Sequence, residues 1–131
     1  MAPTEPHSGP RGERVYVLRA LPKDTNASGD IFGGWLMSQM DLAGGVPAEF
    51  RARGRVATVA VQTMVFHQPV KVGDLVACYA EILKIGTTSM TVLVEAWVQH
   101  WDEGRERKVT EGVFTYVALD DNGEKRPIPP E

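Results

Sequence analysis

The chain has 131 residues, of which 43% are hydrophobic and 24% charged. At about 100–200 residues per domain this is one compact globular domain, and neither a disordered nor a collagen-like chain has such a composition. Seventeen acids against fourteen bases leave a formal charge of −3, which argues against a dedicated nucleic-acid or anionic-membrane binder. The single cysteine, Cys78, excludes an internal disulfide framework and fits a reducing compartment. No apolar run approaches the roughly 18 residues that cross a bilayer, and the N-terminus lacks the apolar stretch of a secretory signal. These features predict a cytoplasmic protein.

Residues 1–13, rich in Pro, Gly and charge, read as a mobile tail, and residues 14–131 as the single domain. A short strand is predicted over 14–21, followed by a loop over 22–29 that holds nearly every turn-forming residue type. The main helix is predicted over 31–51. Its apolar residues, from Trp35 through Met40 and Leu42 to Phe50, cover most of the circumference, so it should be buried nearly all round. Pro47 removes a backbone donor and crowds the carbonyl four residues earlier. With Gly44 and Gly45 it should kink the helix or end it early.

The remainder is strand-like, over 56–66, 75–83, 87–101 and 107–119. Turn sequences separate these runs at Val72-Gly73-Asp74, Ile85-Gly86 and Asp102-Glu103-Gly104. The last three are joined by turns too short for a crossover, so they can only be antiparallel neighbours. The expected fold class is α+β, a long central helix wrapped by a curved antiparallel sheet of about five strands. Leu93, Trp97 and Tyr116 are expected on the outer face of that sheet, too apolar to be left to solvent, which suggests oligomerisation.

Between Ile31 and Ala48 the only ionisable side chain is Asp41. A carboxylate in so apolar a segment must be paired, exposed, protonated or used. One reading is a bond to a helix end or a partner residue; the other is chemistry. Gly33 and Gly34 open the same helix, where bare N–H groups can hold a developing negative oxygen and a substrate can approach the backbone closely. A tight turn with close helix–sheet packing is the alternative there. Asn26 can turn its amide into such a site or merely cap its own loop. His7, His67 and His100 are scattered without metal-ligand spacing, so no metal and no cofactor are expected. Gly-x-Ser-x-Gly and a Walker lysine are both missing.

The run Asp24-Thr25-Asn26-Ala27-Ser28-Gly29-Asp30-Ile31-Phe32-Gly33-Gly34-Trp35-Leu36-Met37-Ser38-Gln39-Met40-Asp41 closely resembles the signature of the YciA-like acyl-CoA thioesterases of the hotdog superfamily. Phe66-His67-Gln68-Pro69, Gly86-Thr87-Thr88-Ser89 and Glu95-Ala96-Trp97-Val98 are similar to later stretches of the same family. The resemblance implies a hotdog fold, dimers that commonly assemble into hexamers as trimers of dimers, and hydrolysis of acyl-CoA thioesters. It further implies that Asp41 is the catalytic carboxylate, that Gly33 supplies an oxyanion-binding N–H, and that Gly86, Thr87, Thr88 and Ser89 lie near bound coenzyme A. Pro47 and the arginine-rich 51–55 stretch depart from the family pattern.

Helical spacing adds a separate point. Gly33 and Asp41 are separated by about 12 Å of rise, whereas a reacting carbon must lie about 3 Å from both the oxyanion donor and the attacking group. A composite site follows, with Gly33 from one subunit and Asp41 from its two-fold partner, twice per homodimer. Arg55 and Lys84 are candidates for the phosphates of coenzyme A, or ordinary solvated charges. The competing function is a non-catalytic acyl-CoA binding or sensing module on the same scaffold. A hotdog dehydratase is disfavoured because the helix carries no histidine.

Overall fold

The computed structural model describes residues 9–131, so most of the expected tail, residues 1–8, lies outside the described residues. Residues 9–12 lie against the sheet, where the Arg11 N–H donates to Glu95 and its side chain to Glu81. In chain order the elements are β1 (Glu13–Arg19), a 3-10 turn (Pro22–Asp24), α1 (Gly33–Ala52), β2 (Val56–Phe66), β3 (Leu75–Ile85), β4 (Ser89–Gln99) and β5 (Arg107–Ala118). The strands form one antiparallel sheet in the order β1-β3-β4-β5-β2. The helix touches all five strands, which requires the sheet to bend around it.

The architecture is the one anticipated, and β3, β4 and β5 are the expected antiparallel neighbours. β2 crosses to the far edge beside β5, bending at a bulge where Thr63 adopts a left-handed φ of 58°. Such a φ is strained for a β-branched residue. Alternate residues of β4, among them Val92, Val94 and Ala96, meet Leu36, Met40 and Ala43 of α1 in the core.

Three expectations need correction. Pro47 does not shorten α1, which continues to Ala52. The lost hydrogen bond is outweighed by the small residues Ala43, Gly44, Ala48 and Ala52, which bury the helix face flush against the sheet. Second, α1 is not buried all round within one chain. Leu42 and Phe50 are 65% and 80% exposed, because the sheet covers only the face that carries Leu36, Met40 and Ala43.

Third, Tyr116 is on the inner face. It pairs with Met90 and is buried under α1, where its hydroxyl reaches Asp41. Leu93 and Trp97 do alternate with the core residues of β4, yet both are buried already in the single chain. The Trp97 indole N–H donates to the buried Glu95 carboxylate at 2.9 Å, which also accepts from the Arg11 backbone and faces Lys108 at 3.5 Å.

The fit of α1 on β5 depends on one glycine. A Cβ on Gly44 would collide with the Tyr116 hydroxyl and stand 2.9 Å from a Val94 methyl. Gly44→Ala should therefore lower stability by about 1–3 kcal/mol despite alanine's better helix propensity. A thermal melt followed by circular dichroism measures this, and an unchanged or raised midpoint contradicts the packing described.

Candidate active site

The start of α1 is left open. Its N-cap residue, Phe32, supplies no side-chain cap. The Trp35 and Leu36 N–H groups turn back to the Phe32 carbonyl at 3.1 and 3.4 Å, but among the described residues nothing accepts from Gly33 or Gly34. Both glycines are exposed. Two bare N–H groups at the positive end of a helix dipole form an anion-binding position. A Cβ on Gly33 would stand 3.3 Å from the Phe66 ring, so glycine here keeps ring and backbone close. The opening is a cavity of about 360 Å³ between the helix start and the β2–β3 loop, walled by Ile31, Leu36, Phe66, His67 and Val70.

Asp41 lies two helical turns further on. Thr58 Oγ1 donates to its Oδ1 at 2.7 Å. The Tyr116 hydroxyl reaches the same oxygen at 3.1 Å and the Asp41 backbone carbonyl at 2.8 Å. No described donor reaches Oδ2. The carboxylate is thus anchored by one oxygen and free at the other, the arrangement expected of a group held in place for proton or acyl transfer. Burial, then the Asp41 charge, then the hydrogen bond to it push the Tyr116 phenol well above its ordinary range, so it remains a donor.

Asp41 opens into a second cavity of about 370 Å³, bordered by Tyr16, Leu42, Val46, Val56 and Thr58. Gly33 and Asp41 of one chain therefore face different cavities. Gly34 lies beside Gly33 at the helix start. Asn26 is in the preceding loop, where its Oδ1 accepts from the Ser28 and Asp30 N–H groups at 2.9 and 3.1 Å. Those bonds order the loop and occupy the amide oxygen, leaving Nδ2 as the end that can donate.

The remaining candidates gather at the other end of α1. The Arg55 carbonyl accepts from Leu119 and the Thr88 carbonyl from Ala118, each at 2.9 Å, while Thr87 accepts from Ile128 at 2.8 Å. Arg55 and the Gly86–Thr87–Thr88–Ser89 turn thus flank the end of β5, and Lys84 is exposed just before that turn. Gly86 closes it by donating to the Ser89 carbonyl at 2.7 Å. These residues come together with one another but not with Gly33 or Asn26.

Sequence reasoning misses two residues that touch Asp41. Thr58 is visible only as the one hydroxyl in Val56–Val61, and Tyr116 is expected on the wrong face. Cys78 is buried, and burial pushes its thiol up to about 12, so it supplies no thiolate. Among the described residues no group of three or more His, Cys, Asp or Glu is placed to hold a metal. No described helix is long and apolar enough to cross a membrane.

The thioesterase superfamily model matches residues 28–103. The chain is similar to the acyl-CoA thioester hydrolase YciA of Salmonella typhimurium, 52% identical over 123 residues that cover 92% of each chain. The hexameric thioesterase y2039 from Yersinia pestis superposes with a TM-score of 0.88 at 52% identity, covering 93% of this chain and 99% of that one. The acyl-CoA hydrolase from Staphylococcus aureus, solved with butyryl coenzyme A and coenzyme A, superposes with a TM-score of 0.80 at 30% identity. It covers 87% of this chain, which spans 70% of that one. Variants of that hydrolase with one asparagine or one aspartate replaced by alanine are also solved.

The packing around the site predicts a titration. Burial first, and for Tyr79 the Glu106 contact next, raises the phenols; Tyr79 is pushed up to about 12 and Tyr16 and Tyr116 higher still. Unfolded tyrosines ionise near pH ~10, so these three groups favour the folded chain below that pH and lose their contribution as pH rises above it. Ultraviolet titration at pH ~10 should find almost no tyrosinate in the native protein and about half of the three tyrosines ionised after unfolding. One equivalent appearing near that pH in the native protein contradicts the burial described.

Proposed function

The chain belongs to the thioesterase superfamily and is an acyl-CoA thioester hydrolase, and we propose that Asp41 of one protomer works with the Gly33 N–H of a two-fold partner. The observation that carries this reading is the Asp41 carboxylate, tethered at Oδ1 and free at Oδ2 in a cavity that lacks its own Gly33. In this reading the thioester carbonyl oxygen accepts from the partner's helix start, where the dipole favours the negative charge that develops in the tetrahedral state. Oδ2 either adds to the carbonyl carbon or takes a proton from the water that does. The acyl C–S bond breaks, the water oxygen ends in the carboxylic acid, and a proton reaches the departing sulfur. Thiolate is a good leaving group, so the chain needs no strong acid or metal for that step.

A second copy is also what the surface calls for. β2 is a long edge strand with β5 on one side only. Its Val59 and Val65 are about half exposed, and Leu42 and Phe50 of α1 are more exposed still. An uncovered apolar edge of this length invites pairing, and burying each such side chain fully is worth about 1.5–3 kcal/mol. Hexameric assembly, as described for the Yersinia pestis relative, fits the same demand. Asn26 serves in this reading as a donor through its Nδ2. The asparagine and aspartate replaced in the Staphylococcus aureus hydrolase are fifteen positions apart, the separation between Asn26 and Asp41.

The cavity at the helix start suits the acyl chain. The basic end, with Arg55, Lys84 and the Gly86–Ser89 turn, suits the phosphates of coenzyme A, which require cations and small donors. In this reading the enzyme is cytoplasmic and works without a resident cofactor. A passive acyl-CoA carrier on this scaffold would have no use for a carboxylate held with one oxygen open.

Mixed dimers test the composite site. Gly33→Pro removes the N–H at a helical position that tolerates proline, and Phe32 already has the extended backbone (φ −79°, ψ 149°) that a residue before proline needs. Gly33→Pro and Asp41→Ala should each abolish thiol release from butyryl-CoA. Unfolded and refolded together in equal amounts, they should recover about one quarter of wild-type activity, since half the dimers carry one intact site of two. No recovery in dimers shown to be mixed contradicts the arrangement.

A further inference from the structure

The most deeply buried charge outside the site is Asp74, which has no exposed surface. A carboxylate so placed costs several kcal/mol unless it is fully partnered, and its partners lie in the loop after β2, just beyond β4 and at the start of β5. Oδ1 meets His100 Nδ1 at 2.6 Å, at the end of β4. Oδ2 accepts from the Lys71 backbone at 2.9 Å and faces Arg107 Nη2, at the start of β5, at 4.0 Å. Arg107 in turn donates to Gln68 Oε1, in the cavity wall, and to Glu103 at 3.1 Å. Glu103 also accepts from the His100 N–H at 2.7 Å.

These bonds converge on one loop, residues 67–74. At its centre the Val70 carbonyl accepts from the Ile31 N–H at 3.3 Å, two residues before Gly33. At its end Asp74 and Gly73 exchange backbone bonds with Ala20 at 2.9 and 2.8 Å. The loop is therefore held by backbone bonds to the helix start, to Ala20 and to Val109, and by side-chain bonds that run through Asp74, His100 and Arg107. The hydrolytic reaction itself uses none of these three side chains.

We propose that Asp74, His100 and Arg107 are positioning residues, which fix the His67–Val70 wall against the start of α1 so that the acyl chain of a bound substrate is gripped in the slot beside Gly33. This rests on the reading of the Gly33 cavity as the acyl slot. A wall out of place loosens apolar contacts that bound substrate and transition state share, which raises KM and leaves kcat nearly unchanged. The groups act at a distance from the reacting atoms, so their loss is felt first in how well substrate is held.

Arg107→Gln severs the link to Gln68 and removes the cation beside Asp74, and Asp74→Asn removes the central charge. Thiol release from butyryl-CoA should show KM raised at least about five-fold in both, with kcat within about two-fold of wild type. A purely structural role would instead lower kcat with the folded fraction and leave KM unchanged, which overturns the proposal. Should Asp74→Asn fail to fold, the half-buried Arg107 decides between the two outcomes alone. Asp41→Asn assayed in parallel separates positioning from chemistry. If it loses turnover while Arg107→Gln keeps a normal KM, only the positioning role falls; if it turns over at the wild-type rate, the active-site reading falls and this proposal with it.

Discussion

The structure is organised around holding one carboxylate in a fixed orientation on an otherwise apolar helix. Asp41 cannot be left to the core, where an unpaired charge costs several kcal/mol. It cannot be fully neutralised by a cation either, if it is to react. The solution is two neutral hydroxyls, Thr58 from β2 and Tyr116 from β5, both on the same oxygen. Neutral donors orient the group without quenching it, and the buried phenol keeps its proton across the working pH range. Gly44 follows from this requirement, because only a residue without Cβ lets α1 settle low enough on β5 for the Tyr116 hydroxyl to reach.

The same economy explains the two ends of the helix. At its start the N–H groups of Gly33 and Gly34 are left uncapped, where most helices would spend a serine or aspartate. At its finish the chain invests heavily in caps. Arg53 adopts the left-handed C-cap, and Arg126 donates to the carbonyls of Ala52 and Leu119, both at 2.8 Å. A helix that is closed at its C-terminus and open at its N-terminus leaves the positive end of its dipole bare. Asp74, His100 and Arg107 then brace the loop that shapes the opening.

Much of this was legible in the sequence. The strands announced themselves through alternation and through Gly and Asp at the turns, and the short links between β3, β4 and β5 left one pairing possible. Asp41 was legible as the lone charge in an apolar helix, and Gly33 as the first of a glycine pair before it. What could not be read was register. Tyr116 lies inside because it pairs with Met90, and β4 and β5 slip at a bulge between Ala96 and Trp97 that no local pattern encodes. Thr58 was hidden for the same reason, since its partner is seventeen residues away along the chain. Pro47 misled because a local rule about backbone donors was overridden by tertiary packing of the small residues around it.

A crystal structure of the dimer with a ketone analogue of butyryl-CoA, carbon in place of the thioester sulfur, tests most directly whether one protomer's Asp41 and its partner's helix start meet on the same substrate carbonyl. The ketone oxygen should lie within hydrogen-bond reach of the Gly33 N–H from one protomer, with the carbonyl carbon facing Asp41 Oδ2 of the other. A ketone contacted by Gly33 and Asp41 of the same protomer, or lying away from both, would contradict the composite site.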